Sequence, residues 1–299
     1  MTTTATGANA YCDHLLRPGN TNCAGCGMSL GLQWLDQALE GEKPMLAIPA
    51  CCGIVTAGAF PTSSFGVPTA ATTFASSPAV ASGLVAVARL NGEDHPVICW
   101  TGDGGTYDIG MATLSAAAER NEDLIYVCYD NEIYGNTGGQ RSSATPEGVS
   151  TSTTLKGKIE GKKDIMAIMA AHRVPYAATL SVAHRDDFTR KVKIARKIKG
   201  FRFLHILSPC PTGWKSDPSE STELISLAVR CGIFPLYEVF DGLRYRINVR
   251  PDGLPVEEYM KKQRRYRAAK IDPAVLRAQI ERNWRYLNGL AEMFPAEYD

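Results

Sequence analysis

Val97-Ile98-Cys99-Trp100-Thr101-Gly102-Asp103-Gly104-Gly105, followed by Leu124-Ile125-Tyr126-Val127-Cys128-Tyr129-Asp130-Asn131, is the stretch whose reading decides the fold. Both segments open with short apolar runs, which read as strands buried on both faces. Between them, Ile109 to Arg120 reads as a helix. Strand, helix and strand at this spacing form a βαβ unit. The unit puts Asp103 and Asn131 at the carboxyl ends of its two strands, where ligands of open α/β sheets bind.

The residue types at those ends suit a diphosphate held through a divalent metal. Mg²⁺ takes a near-octahedral shell of oxygens, commonly one or two carboxylates with phosphate and water. Asp103 offers a carboxylate, Asn131 an amide oxygen, and the bend after Asn131 can present the Ile133 carbonyl. Gly102, Gly104 and Gly105 would let backbone approach phosphates with no Cβ in the way. Taken alone, Gly-Asp-Gly is also what an ordinary strand-to-helix turn looks like. The Asn131-Glu132-Ile133-Tyr134-Gly135-Asn136-Thr137-Gly138-Gly139 turn after the next strand makes the pair informative.

Outward from this unit, strands and helices alternate. Met28–Glu40, Val80–Leu90 and Asp186–Lys199 read as helices, and Asp164 caps another that runs to His172. Met45–Ile48, Tyr176–Leu180 and Phe201–Leu207 read as strands, so the fold class is α/β with a mostly parallel sheet flanked by helices. Thr145–Lys163 reads as a polar loop. Residues 1–240 are expected to form this domain. Residues 241–299 are expected to form an appended C-terminal arm, with helices near Val256–Ala268 and Pro273–Leu290. The basic run Lys261-Lys262-Gln263-Arg264-Arg265 reads as a solvated helix face, with a subunit contact as the alternative.

Composition bounds the function. The 299 residues carry a net charge of +1, which gives no general attraction to nucleic acid or to anionic membranes. The first residues lack the features of a secretory signal, so a cytoplasmic location is expected. No formal charge occurs from Pro44 to Ala88, but Pro49, Pro61, Pro68 and Pro78 argue against a membrane span. Burial in a core or a subunit interface is the expected reason.

Nine cysteines without a secretion signal favour metal or cluster ligation over disulfides. Cys23-Ala24-Gly25-Cys26 could be a redox dithiol, half a zinc site or the edge of a cluster. Cys51-Cys52 and Cys210 follow two other strands. Four thiolates from three loops suit a [4Fe–4S] cluster or a zinc site, and spacing does not choose between them. Cys99, Cys128 and Cys231 read as core, and Cys12 has no assigned role. The five histidines show no metal-ligand spacing, and His172 and His205 read as structural.

Gly102-Asp103-Gly104 through Asn131 is similar to the thiamine diphosphate motif. The longer run to Pro146, with Tyr107-Asp108-Ile109-Gly110 and Asn136-Thr137-Gly138-Gly139-Gln140-Arg141-Ser142-Ser143-Ala144-Thr145-Pro146, resembles the β subunit of 2-oxoacid:ferredoxin oxidoreductases of the pyruvate synthase type. The likeness covers nearly the whole chain. It implies a thiamine-diphosphate-binding fold, with the cofactor held by Gly27, Gly102, Asp103, Gly104, Gly105, Asn131 and Ile133, and Mg²⁺ by Asp103, Asn131 and Ile133. It implies a [4Fe–4S] cluster on Cys23, Cys26, Cys51 and Cys210, with Cys52 the competitor of Cys51. Asn136 matches a position near the substrate. The implied reaction is oxidative decarboxylation of a 2-oxoacid with coenzyme A, giving an acyl-CoA and CO₂. Its electrons would pass through the cluster to ferredoxin or to an NAD-linked acceptor subunit.

The glutamate that activates thiamine comes from another subunit in this family. The resemblance therefore implies a hetero-oligomer with α, γ and δ-type partners. Relatives often carry Phe-Glu-Asn-Ala where this chain has Phe74-Ala75-Ser76-Ser77-Pro78, which leaves pyruvate a default beside oxalate and phenylglyoxylate. A cluster-free thiamine carboligase or decarboxylase subunit and a non-catalytic zinc scaffold are the competing readings.

Overall fold

The computed structural model describes residues 14–58, 63–268 and 271–297. Cys12 and Pro61 lie outside them. Eight strands among the described residues form one sheet: β1 Met45–Pro49, β2 Thr69–Thr72, β3 Val97–Gly102, β4 Ile125–Asp130, β5 Tyr176–Ser181, β6 Arg202–Leu207, β7 Leu236–Phe240 and β8 Arg244–Val249. Their order is β2-β1-β3-β4-β6-β5-β7-β8. The first six run parallel, and β7 and β8 pair antiparallel.

Strands β3 to β6 are buried along their whole length. Successive side chains of a strand point to opposite faces, so one apolar run feeds two cores. Ile98, Trp100, Val127, Tyr129, Leu204 and Ile206 pack on one side, beneath the helices Gly27–Ala38, Arg185–Lys197 and Ser221–Arg230. Cys99, Tyr126, Cys128 and Phe203 pack on the other, beneath the helices Ser77–Leu90, Met111–Glu119 and Ile165–Ala171. Cys99 and Cys128 are thus core residues, as expected, and Cys231 is buried too.

Parallel strands share one carboxyl edge. From β1 the chain crosses to β2 on one side and later returns to β3 on the other. The crevice outside β1 and β3 is therefore a topological switch point, the place where such sheets bind ligands. Cys51-Cys52 follow β1, Asp103 follows β3, Asn131 follows β4 and Cys210 follows β6.

The expected boundary at 240 is crossed by the sheet, which extends to residue 249. Asp241 and Gly242 both have positive φ, 53° and 64°, and the Leu243 N–H donates to the Phe240 carbonyl at 3.0 Å. The three residues Asp241, Gly242 and Leu243 join β7 to β8. Glu238 on β7 fastens this hairpin. It accepts hydrogen bonds from Tyr176 (2.7 Å), Arg190 (3.1 and 2.9 Å) and Asn248 (2.6 Å). The expected helix Val256–Ala268 is two helices, Val256–Lys261 and Arg264–Ala268. The break at Lys262-Gln263 turns Arg265 inward, to 1% exposure, against the expectation of a solvated face.

The helix Ser77–Leu90, which closes the uncharged stretch, is buried on one side only. Ala81, Val85 and Ala88 face the core, while Val87 and Leu90 of the same helix are exposed in this chain. Among the described residues, no helix is long and apolar enough to cross a membrane.

Candidate cofactor site at the carboxyl edge of the sheet

Gly102 on β3 pairs with Tyr129 on β4, so Asp103 and Asp130 leave the sheet side by side. Asp103 is 2% exposed and accepts a hydrogen bond from the Ser142 hydroxyl. Burial, with the Asp130 carboxylate nearby, pushes its carboxyl well above the usual range. A divalent cation would supply the charge that this carboxylate lacks. The Asn131 amide oxygen accepts from the Ile133 N–H at 3.3 Å, and the Asn131 carbonyl accepts from the Trp214 indole at 2.8 Å.

Between them, Glu132 has φ of 62°, a conformation costing about 1–3 kcal/mol for a non-glycine residue. Four partners hold it. Its N–H donates to Asp130 (3.0 Å), and its carbonyl accepts from Thr145 (2.7 Å). Its carboxylate accepts from Lys162 (2.9 Å) and from Arg265 (2.7 Å). The donor set of Asp103, Asn131 and Ile133 fits Mg²⁺, and the turn that presents it is rigidly held.

The glycines have a more specific role than open access. A Cβ on Gly104 would lie 2.1 Å from the Tyr134 ring, and Tyr134 is anchored by its hydroxyl on Asp108 (2.7 Å). Gly104–Asp108 form one turn of π-helix, a geometry concentrated at functional sites. The α-helix expected from Ile109 therefore begins at Met111.

The cysteine loops meet at the same edge. The Cys26 N–H donates to the Cys23 carbonyl (3.1 Å), and the Gly27 N–H donates to the Pro209 carbonyl (3.0 Å). A Cβ on Gly27 would lie 2.2 Å from Pro209 Cδ, so glycine is what lets these two loops touch. Cys210 opens the short helix Pro211–Trp214, its sulfur accepting from the Gly213 N–H (3.3 Å). The Cys52 and Cys210 sulfurs border the same space, 3.7 and 3.9 Å from where a Gly135 Cβ would be. Burial, with Cys210, Cys51 and Cys26 nearby, pushes the Cys52 thiol up to about 12. Burial likewise raises Cys210, to about 11. Thiolates form here only with a compensating cation, and metal coordination deprotonates a thiol outright. A metal bound between these loops would supply that cation.

Comparisons with known proteins show the family. Residues 51–206 match the thiamine pyrophosphate enzyme C-terminal TPP-binding domain. The ketoisovalerate oxidoreductase subunit VorB of Pyrococcus horikoshii is 43% identical over 291 residues, covering 92% of this chain and 93% of that protein. This chain belongs to the β subunits of the 2-oxoacid:ferredoxin oxidoreductases. The pyruvate synthase subunit PorB of Methanothermobacter marburgensis is 42% identical over 262 residues, covering 85% of this chain and 90% of that one. The 2-oxoglutarate:ferredoxin oxidoreductase of Magnetococcus marinus, solved with 2-oxoglutarate, coenzyme A and succinyl-CoA bound, shares the fold. Its TM-score is 0.60 at 23% identity, over 72% of this chain and 79% of that one.

Within this β subunit, Cys51 and Cys52, the two candidates for the third cluster ligand, have different surroundings. The Cys51 sulfur is buried beside the Tyr129 hydroxyl and the backbone N–H groups of Gly53 and Ile54. The thiol of the pair that faces Cys26 and Cys210 belongs to Cys52. Asn136 is exposed on the turn, with its backbone N–H toward Cys52. Among the described residues, no three His, Cys, Asp or Glu side chains stand close enough to hold a single metal ion.

The β subunit also holds a charged cluster that the sequence does not announce. Asp130 is fully buried and accepts from Tyr107 (2.9 Å) and His205 (2.8 Å), and pairs with Lys162 (2.7 Å). Burial would raise its carboxyl, but Lys162 and His205 hold it well below the usual range. His205, read as structural, is tied to the residue preceding Asn131. The polar segment around Lys162 gives no hint of this pairing. A cavity of about 300 Å³, lined by Lys162, His205, Tyr107 and the helix Pro273–Met293, lies behind the turn.

Proposed function

We propose that this chain is the thiamine- and cluster-bearing subunit of a complex that oxidatively decarboxylates a 2-oxoacid with coenzyme A, giving an acyl-CoA and CO₂. The observation that carries this reading is the convergence of Asp103, Asn131 and Ile133 with Cys23, Cys26, Cys210 and the Cys51-Cys52 pair on one sheet edge. When bound, thiamine diphosphate supplies an electron sink for breaking the bond to the substrate carboxylate. Asp103, Asn131 and the Ile133 carbonyl would hold Mg²⁺ on its diphosphate, while Gly27, Gly102, Gly104 and Gly105 line the backbone around it. Burial of Asp103 and Asn131 excludes water from that end of the site. A [4Fe–4S] cluster on Cys23, Cys26, Cys210 and one thiolate of the Cys51-Cys52 pair would supply one-electron transfer within the same subunit.

Asn136 would donate a hydrogen bond to the substrate from its exposed turn. The substrate is read as a small or apolar 2-oxoacid. Ala75 and Ser76 stand where a carboxylate and an amide are common, beside Phe74, which packs edge-on to Tyr134 at 6.0 Å. Pyruvate is the default, with the branched substrate named for the VorB relative and phenylglyoxylate as the alternatives. Partners of the α, γ and δ type, in the cytoplasm, would complete the site and carry electrons to ferredoxin or an NAD-linked acceptor. The test is an anaerobic EPR titration of the purified complex with single 2-oxoacids, with and without coenzyme A. A substrate-dependent organic radical together with a reduced-cluster signal supports the proposal. A complex that contains neither iron nor thiamine defeats it.

A further inference from the structure

The metal turn and the cysteine loop are physically joined by one side chain that neither motif contains. Arg265 lies in the C-terminal segment, 133 residues beyond Glu132. Its Nη2 donates to the Glu132 carboxylate at 2.7 Å, and its Nε donates to the Gln263 side-chain oxygen at 2.9 Å. The guanidinium carbon lies over the Trp214 ring, 4.0 Å from the centroid. Trp214 in turn donates its indole N–H to the Asn131 carbonyl at 2.8 Å, and it ends the short helix that Cys210 begins.

One buried cation therefore touches the residue with positive φ inside the metal turn and the aromatic ring that closes the Cys210 helix. Lys162 cannot replace it, because its ammonium serves Asp130 and the other Glu132 oxygen. Arg rather than Lys is required by the geometry. A planar fork can pair with a carboxylate along its edge and stack on an aromatic face at the same time.

We propose that Arg265 is a positioning residue that couples the Asn131–Ile133 turn to the Cys210 loop, so that occupation of either site strengthens the other. The proposal rests on the functional reading above, since it takes the turn to hold Mg²⁺–thiamine diphosphate and the loop to ligate the cluster. Pulling on Glu132 moves the metal donors, and the same pull tilts Trp214 and the helix behind Cys210. Coupling of this kind is reciprocal by thermodynamic necessity.

The test uses the full-length chain in its native complex, with R265K, R265M and E132Q variants. Binding of Mg²⁺ with thiamine diphosphate is measured by calorimetry, with the cluster oxidised. The cluster EPR spectrum is recorded after dithionite reduction, with and without the cofactor. In the unaltered complex, adding cofactor is expected to shift the cluster signal. In R265M that shift is expected to vanish and cofactor affinity to fall by about five-fold or more, a typical size for coupling between sites. R265K is expected to retain charge, assembly and iron, yet still lose the cofactor-dependent shift, because an ammonium cannot stack and pair together. A merely structural Arg265 would leave the shift intact in R265K. R265K or E132Q complexes with unaltered affinity and an unaltered shift overturn the inference. An unaltered complex that binds no thiamine diphosphate, or contains no cluster, instead overturns the functional reading on which it rests.

Discussion

Gly27→Ala is the sharpest single perturbation of the cysteine centre, because it alters no thiol and no metal donor. The new Cβ would lie 2.2 Å from Pro209 Cδ and 2.7 Å from Pro209 N. One obstacle is backbone and the other a ring atom with little freedom, so neither can swing aside. Restoring contact to the ordinary 3.4 Å requires the loops to part by roughly 1 Å, a misplacement large enough to disable a site. The same movement stretches the Gly27 N–H bond to Pro209 O, now 3.0 Å. Overpacking costs about 1–3 kcal/mol and the lost hydrogen bond about 1 kcal/mol.

The fold should survive that cost, whereas the Cys26–Cys210 spacing should not. The expected outcome is loss of most iron and sulfide, measured chemically and by visible absorbance. Binding of Mg²⁺–thiamine diphosphate should weaken as well, because Gly27 is also proposed to line the cofactor. A G27A protein with full iron content and an unchanged EPR spectrum would refute the reasoning, since it would show that this contact does not set the ligand spacing.

Asp103→Asn removes the carboxylate at the end of β3, and the thermal stabilisation by Mg²⁺ with thiamine diphosphate should disappear while the protein without ligand remains at least as stable. Cys51→Ala and Cys52→Ala, compared for iron content, identify which thiol of the pair ligates. Loss in C52A follows from the geometry described here, whereas loss in C51A alone would mean that Cys51 turns away from Tyr129 when the cluster assembles. Gly289 lies on the exposed face of the helix Pro273–Met293 with nothing within 4 Å of a Cβ, so G289A should raise stability by about 0.5–1 kcal/mol in chemical denaturation. Burial raises the Glu238 carboxyl, but Arg190, Tyr176 and Asn248 outweigh it and hold the group below its ordinary value of 4.5. Its contribution to stability is present above the unfolded value and is lost as pH falls through the folded one. E238Q should flatten the acid limb of the melting temperature against pH, and an unchanged limb would show that this carboxylate is not the responsible group.

The sequence determined the βαβ unit and its ligands because both are local. Apolar runs such as Ile125–Tyr129 bury themselves wherever they lie, and Asp103 and Asn131 follow their strands directly. It also placed Cys51-Cys52 and Cys210 at strand ends, whereas Cys26 precedes the first helix and meets the Cys210 loop through the Gly27–Pro209 contact. The hairpin β7–β8 was not read from the sequence, whose composition assigned residue 241 to a separate arm. Only the tertiary structure decided the rest. Whether Cys51 or Cys52 faces Cys26 depends on a side-chain direction set by the Tyr129 hydroxyl, which reaches the start of the Cys52–Val55 helix from β4, across β3 from β1. A basic run looks the same whether it is solvated or folded inward. Arg265 is buried because Glu132 and Trp214, remote in sequence, offer it a carboxylate and an aromatic face, and no local pattern records a partner that distant.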